Sequence, residues 1–495
     1  MTFAAAPARQ GASARFFGQD PTHWLPQALL VLATLALCAA HQGALLTLAF
    51  PALSTAVGLW LYFKSPARYV GFVWWMWFLS PEVRRLADYF KGAFTPTSIV
   101  QVAPVAVTMI SGFVLIRRYR LLGSWRGLPM LLILLGIGYA YIVGMTSVGF
   151  FAATYDLANW MYPVLIGMHI VANARDFPQY RQAIVSTFVW GMLVMGIYGI
   201  VQFFLMPPWD AMWMIGSQMN SEGDPVRFGV RVFSTMNSSG PFAFAMMGAL
   251  VLVPAATQRL RWAAAAAGFA SFGLCLVRST WGGWVIALVI QLAKSSNRTR
   301  VRTILGLAVL AGLSMPLLAI GPVADRLQAR LETITNLHDD HSYAERNQFY
   351  ATFAETAFTN IAGMGLGATG TSTKLTQSDN QLGKYGNFDS GVMNIPFVLG
   401  WPGTLLYLSG IGWLLARAVR ASFALKDDKF GAACLALACS MFAMLVFTNS
   451  FVSTGGLLLY TSMASLIAAA HWRKIQRQNA RMRFAPSFVS EALRP

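Results

Sequence analysis

Four arginines, one aspartate and two histidines are the residues of this chain whose types and spacing can do chemistry. Arg278 stands in CLVRSTWGGW, between two apolar runs. A cation held in or near a bilayer costs several kcal/mol unless it is paired or hydrated, so its presence there calls for a function. Arg227 and Arg231 lead into MNSSGPFAF, and Arg346 lies in AERNQFY. Guanidinium groups bind phosphate oxygens in a planar, two-pronged way, so several of them on one membrane face would suit a lipid-linked diphosphate. The plainer reading of Arg278 is that it snorkels to headgroups or pairs with a carboxylate such as Asp156. Asp389, in GNFDSG, stands at the edge of an apolar run. A carboxylate there can have its pKa raised and accept a hydroxyl proton, or it can cap the helix that begins near Gly391. His338 and His341 flank Asp339 and Asp340 and are alternative proton acceptors. HDDH on a polar stretch is more simply a solvated turn, and no metal is assigned to it.

The elements that must position these residues are membrane helices. The chain has 495 residues, 56% hydrophobic and 11% charged, which lies outside the range of soluble globular proteins. Apolar runs long enough to span recur from residue 26 to 470, predicting an all-α polytopic membrane protein. The net charge of +18 does not point to nucleic acid, because the basic clusters fall at every second connection between spans. Setting those clusters on the cytoplasmic side predicts about fourteen spans, or twelve to thirteen if two short ones fail, with both termini cytoplasmic. The organisation is then a tail at 1–24, helices with short loops over 25–320, a large outward loop at 321–390, helices over 391–471 and a basic tail at 472–495. Cys38, Cys275, Cys434 and Cys439 all fall in apolar runs and read as small core residues.

Three outward segments follow. Residues 81–96 carry Glu82, Arg84, Arg85, Asp88 and Lys91, against the charge rule. Residues 206–234 form a loop with WDAMW and EGDP. The third is the long loop, in which Ser342 and Glu345 have capping-box spacing. Phe349, Tyr350, Phe353, Ala354, Ala357 and Phe358 then share one face of a helix lying on the membrane or the bundle. GMGLGATG ends that helix, since closely spaced glycines cannot sustain one. Trp74, Trp75 and Trp77 with Tyr69 read as interface anchors, and Trp209, Trp213, Tyr343, Tyr350 and Tyr385 as sugar-stacking surfaces or interface aromatics.

Taken in order, RVFSTMNSSGPFAF (231–244), VRSTWGGWVIAL (277–288), AERNQFYATFAETAFTNIAGMGLGATG (344–370) and FDSGVMNIPFVLGWPGTLLYLSG (388–410) resemble the O-antigen ligase and Wzy-type polysaccharide polymerase superfamily. WFLSPEVRRLADY (77–89) is similar to its exopolysaccharide-cluster members. The resemblance implies a GT-C-like fold with one long periplasmic loop, in the bacterial inner membrane. It implies no cofactor and no catalytic metal, and arginines, here Arg278 and Arg231, that bind the diphosphate of an undecaprenyl-linked saccharide. Ligases of this superfamily carry a His-Asn pair where the long loop re-enters the membrane. Here Phe388, Asp389 and Ser390 stand at that place, which favours the polymerase branch; Asp389 could do the histidine's job as proton acceptor or cap the following span.

The expected function is therefore a periplasmic-face, inverting glycosyltransferase that polymerises undecaprenyl-diphosphate-linked oligosaccharides into an exopolysaccharide or O-antigen chain. Its partners would be the lipid-linked donor and acceptor, membrane lipid and, optionally, a polysaccharide co-polymerase. The alternatives are an O-antigen ligase acting on lipid A core, a transporter or flippase of lipid-linked saccharide, and a non-catalytic assembly partner. A transporter would carry charges within several spans, broken helices and repeat symmetry.

Overall fold

Each apolar run forms a helix because, out of water, a backbone can satisfy its polar groups only within itself. A computed structural model describes residues 24–125, 127–326, 328, 359–376, 383, 385–386 and 390–483. The helices are α1 (Leu25–Ala39), α2 (Gly43–Lys64), α3 (Pro66–Lys91), α4 (Ile99–Arg117), α5 (Leu128–Ser147), α6 (Phe150–Ala172) and α7 (Phe177–Leu205). They continue with α8 (Pro208–Ser217), α9 (Ser239–Leu252), α10 (Arg261–Leu274), α11 (Arg278–Ala293), α12 (Asn297–Leu318), α13 (Gly391–Phe423), α14 (Lys429–Met444) and α15 (Ser453–Arg483). Among the described residues there is no strand, and every expected span has a helix at its place. Six are long and apolar enough to cross a membrane, lying at Gly43–Lys64, Ile99–Arg117, Leu128–Ser147, Ala174–Leu205, Gly391–Phe423 and Ser453–Ala480.

The last of these is the axis of the bundle, with 83% of its most apolar window buried against α6, α13 and α14. The outer surface is apolar too. Leu29, Leu32 and Leu35 on α1, and Leu305, Val309 and Leu313 on α12, are exposed at helical spacing. In water such stripes would drive association, and in lipid they need no cover.

The basic connections meet at one end of the bundle, as the charge pattern requires. Arg181 (Nη1) lies 3.0 Å from Asp428, with Arg473 3.9 Å from the same carboxylate. Lys294 sits over the Phe423 ring. The opposite end, called here the far end, carries the starts of α6, α11 and α13 and the ends of α3 and α7.

Two expectations fail there for the same reason. Residues 81–96 are not a loop, because α3 runs through Pro81 to Lys91. Proline disturbs the carbonyls of the preceding turn, and the Thr235 hydroxyl supplies a donor to one of them, Phe78 O, at 2.6 Å. Trp74 and Tyr69 on this helix are fully buried, so they are core residues and not interface anchors. The 206–234 loop in turn contains α8. In both places tertiary partners hold a helix where local punctuation argued for a loop.

The glycine-rich segment also departs from expectation. It enters the bundle, where helix α13 is broken at Gly400 (φ 61°, ψ 175°). The carbonyls freed by the break accept from the inserted backbone, Met364 N donating to Phe397 O (2.8 Å) and Gly365 N to Val398 O (3.0 Å). Across the segment, Leu366 N donates to Ala140 O of α5 (3.0 Å), and the Ser147 hydroxyl to Met364 O (2.6 Å). Gly365 has φ +82°, and a Cβ there would lie 2.2 Å from Gly144 N, so only glycine fits.

Candidate functional site

The far-end arginines are placed by two short connections. α7 ends at Leu205, and the chain returns through α8, a 3₁₀ turn at Asn220–Glu222 and a single antiparallel bridge between Gly223 and Val230. Phe228 pins the tip of that loop, its N–H donating to Phe203 O (2.9 Å) while its ring packs against Phe203 and Phe204. Arg227, beside it, is exposed. Arg231 follows, half-buried. Its Nη1 donates to Ser221 O (3.0 Å) and its Nη2 to Leu276 O (3.4 Å).

Leu276 belongs to the α10–α11 turn, where its φ of +55° bends the chain so that α11 begins at Arg278. Val232 N donates to Leu274 O (3.1 Å) in the same turn. The structure thus ties the segment bearing Arg231 to the segment bearing Arg278, from regions that the sequence keeps apart. Asp156, considered above as a partner for Arg278, instead accepts from Gly367 N at 3.0 Å.

Glu222, which sequence reasoning passed over, is 4% exposed beside Arg231. One of its oxygens accepts from Ser239 N (3.2 Å) at the start of α9, and the other has no hydrogen-bond partner. Burial pushes its carboxyl up from the ordinary glutamate range, and the Arg231 charge opposes that. Glu222 orders the loop directly, since its carbonyl accepts from Arg231 N at 2.8 Å.

Beneath this surface lies an ionic cluster. Arg85, 1% exposed, donates through Nε to Glu82 Oε2 (2.9 Å), and Nε lies 2.8 Å from Asp210 Oδ1. Its Nη1 and Nη2 donate to the carbonyls of Met236 (2.8 Å) and Ser234 (2.6 Å). Tyr198 donates to Glu82 (2.8 Å) and Asp210 (3.0 Å), while Gln202 donates to Asp210 (2.7 Å) and accepts from Ser234 N (2.8 Å). The guanidinium also lies over the Trp213 and Phe233 rings, at 5.7 and 5.0 Å. Trp213 is therefore buried packing around Arg85 and no open sugar platform.

One cation between two carboxylates leaves the cluster a charge of −1, and burial pushes the Asp210 carboxyl up to about 6. The cluster has no surface to offer a substrate. What it does is hold the 234–236 turn, where Ser234 sits at φ +53°, and so fix the base of the segment that carries Arg231.

A second polar strip marks where the long loop re-enters. Asn394 on α13 donates to the Thr369 hydroxyl (3.0 Å) and accepts from Asn449 (2.7 Å). Ser390 stands at the N-cap position of α13, buried, with no capping hydrogen bond from its side chain and its hydroxyl unpartnered. Tyr385 packs on Phe397 with ring centroids 5.0 Å apart. Asp389, His338, His341 and Arg346, with the amphipathic helix around Phe349–Phe358 and its Tyr343 and Tyr350, lie outside the described residues. The cysteines are free, with Cys275 and Cys434 buried.

Sequence spacing gave no sign of the Arg85 cluster beyond the Glu82–Arg85 pair three residues apart, because Asp210 and Ser234 come from distant segments. The only signal was the excess of charge at the end of an apolar run. Set against known proteins, the chain matches no family model and no curated sequence.

Proposed function

We propose that this chain is a membrane glycosyltransferase of the polysaccharide-polymerase kind, joining lipid-diphosphate-linked repeat units at the leaflet facing the far end. The observation that carries the reading is the Arg231 bridge to Leu276, which holds two arginine-bearing segments together at one end of an apolar bundle. Two of the five Arg231 N–H donors are spent on carbonyls and the Nε–H is buried, which leaves one hydrogen on each of Nη1 and Nη2 for phosphate oxygens. Arg278 and the exposed Arg227 complete the cationic face, and Arg346 would join it from the long loop.

In this reading the acceptor hydroxyl attacks the anomeric carbon as the bond from that carbon to the diphosphate oxygen breaks, inverting the configuration. The hydroxyl proton goes to Asp389 or to His338 or His341, and the diphosphate leaves on its lipid carrier. Guanidinium groups fixed before the reaction stabilise the leaving group's charge without reorganising. Transfer of a finished chain to lipid A core is the alternative within the same chemistry.

A flippase is favoured by one observation, the break in α13 at Gly400. In transporters such a break leaves backbone groups for the substrate. Here Gly363–Gly365 fills it, which favours the enzyme.

The test is reconstitution of the purified protein with a lipid-diphosphate-linked repeat unit, comparing wild type, Arg278→Ala and Asp389→Asn by polymer ladder. A ladder that disappears in Arg278→Ala supports the polymerase. Transfer of a preformed chain only when lipid A core is present makes it a ligase. Movement of the lipid-linked saccharide across the vesicle wall, with no new glycosidic bond, makes it a flippase.

A further inference from the structure

The outer side of the bundle has a second feature, at the end opposite Arg231 and Arg278. Helices α9, α10, α11 and α12 line an open lateral groove of about 110 Å³ at the basic end. Its rim carries Arg261 and Lys429, which begin α10 and α14, and Arg302 in the second turn of α12. None of the three forms an ion pair among the described residues. Asp428, the nearest acid in sequence to Lys429, is taken by Arg181 and Arg473. Arg261 is held in place by donating to Ala256 O and by stacking over the Trp262 ring at 5.1 Å.

Below the rim the walls are apolar, with Leu288, Leu307 and Leu310 among them. From Arg302 to Leu310 the groove follows α12 for roughly 12 Å at 1.5 Å per residue. Two polar atoms are buried in its wall without partners, the Trp284 indole N–H and the Gln291 side-chain carbonyl. Gln291 is 3% exposed, and its amide N–H is already spent on Val251 O at 2.8 Å. A buried donor and a buried acceptor left open cost free energy unless something occupies the groove.

We propose that this groove binds one anionic phospholipid of the leaflet at the basic end. The phosphate sits among Arg261, Arg302 and Lys429, and the glycerol ester region meets the Trp284 N–H. The headgroup hydroxyl or its water reaches the Gln291 carbonyl, and an acyl chain lies along Leu288, Leu307 and Leu310. A zwitterionic lipid would fill the apolar part and bring the same phosphate, but its own cation would oppose the three on the rim. A free phosphate ion would meet the cations and leave the walls bare. The combination of rim and walls therefore selects a lipid with a net negative headgroup. This site is independent of the proposed transferase chemistry, since it lies at the other end of the bundle.

The experiment uses the full-length purified protein, delipidated in a neutral detergent and titrated with phosphatidylglycerol or phosphatidylcholine under native mass spectrometry. Three cations close to a lipid phosphate should give roughly a hundredfold preference for phosphatidylglycerol. The combined Arg261→Gln, Arg302→Gln, Lys429→Gln variant should reduce that preference to less than about threefold. Gly306→Leu is the second variant. A Cβ at Gly306 meets only the Trp262 ring at 3.4 Å, so the larger side chain plugs the groove while the three cations stay. It should lose the bound lipid and keep the same elution profile as wild type. Equal binding of the two lipids by wild type would overturn the proposal. So would phosphatidylglycerol binding that survives Gly306→Leu, or inorganic phosphate displacing the lipid at low millimolar concentration.

Discussion

Replacing Arg85 by methionine keeps most of the side chain's length and removes its charge and all of its donors. Glu82 and Asp210 would then face each other across a dry site, and the carbonyls of Ser234 and Met236 would lose their donors. Removing one partner of a buried ion pair costs about 3–5 kcal/mol. Each stranded carbonyl adds about 1–3 kcal/mol, and protonation of one carboxylate relieves part of the sum. A net loss of about 5 kcal/mol follows, and at roughly 2 °C per kcal/mol for a large chain the melting temperature should fall on the order of 10 °C. The assay is survival of the monodisperse peak after heating in detergent at a fixed rate, because unfolding of such proteins is rarely reversible. The pH dependence gives a second readout. Burial holds the Asp210 carboxyl at about 6, above its unfolded value of 3.8, so the folded chain keeps its proton longer than the unfolded chain. Stability contributed by this group is therefore present below about pH 4 and declines as pH rises to about 6. Without the Arg85 charge the decline extends higher, so the variant's deficit should be smallest near pH 5 and larger at pH 8. A fall of less than about 3 °C, or a deficit that does not change with pH, would refute the role given to the cluster.

The other predictions use the same heating assay. Asp210→Asn keeps a side-chain acceptor for Tyr198 and Gln202 but cannot titrate, so its stability should be flatter than wild type between about pH 4 and pH 6. Gly365→Ala should give little folded protein, since its Cβ would meet the Gly144 backbone at 2.2 Å and its φ is +82°. Gly412→Ala, in open space on α13, should be neutral or stabilising by about 0.5–1 kcal/mol, and equal behaviour of the two glycine variants would contradict the fit described for the insert. Asn394→Leu loses its bonds to Thr369 and Asn449 and should cost about 1–3 kcal/mol; an unchanged melting temperature would show that this strip is not under load.

How far the sequence could be read depended on whether a feature was local. Helix positions were legible because the apolar runs and the basic clusters each act over one span, and α5, whose helix at Leu128–Ser147 coincides with one apolar run, shows it. The end of α3 was not legible, since Pro81 and five charged residues argue for a loop and only Thr235, Ser234 and Asp210 keep the helix going. The glycine-rich segment was read as a helix terminator, which is what its local propensity says. Its partners at Gly144 and Gly400 lie far from it in sequence, and the gap it fills exists only once α13 has broken. For the candidate site, Arg231 and Arg278 were singled out by charge in an apolar context. Glu222 was passed over because EGDP reads as an ordinary turn, and nothing local reveals that it is buried.

The glycine insert also has a consequence for how the protein is made. Its acceptors on α5 leave the ribosome about 250 residues before Gly400, an interval of roughly 13–50 s at ordinary synthesis rates. A helix inserted as it is made would have its small-residue face at Gly136 and Gly144 uncovered during that interval. Gly403 and Leu366 later close against those positions. The first half of the chain must therefore wait, partly assembled, for the last third to complete it. Truncations ending before residue 391 should accumulate on membrane chaperones or proteases as a discrete species, because the seam that locks the two halves together has not yet been synthesised.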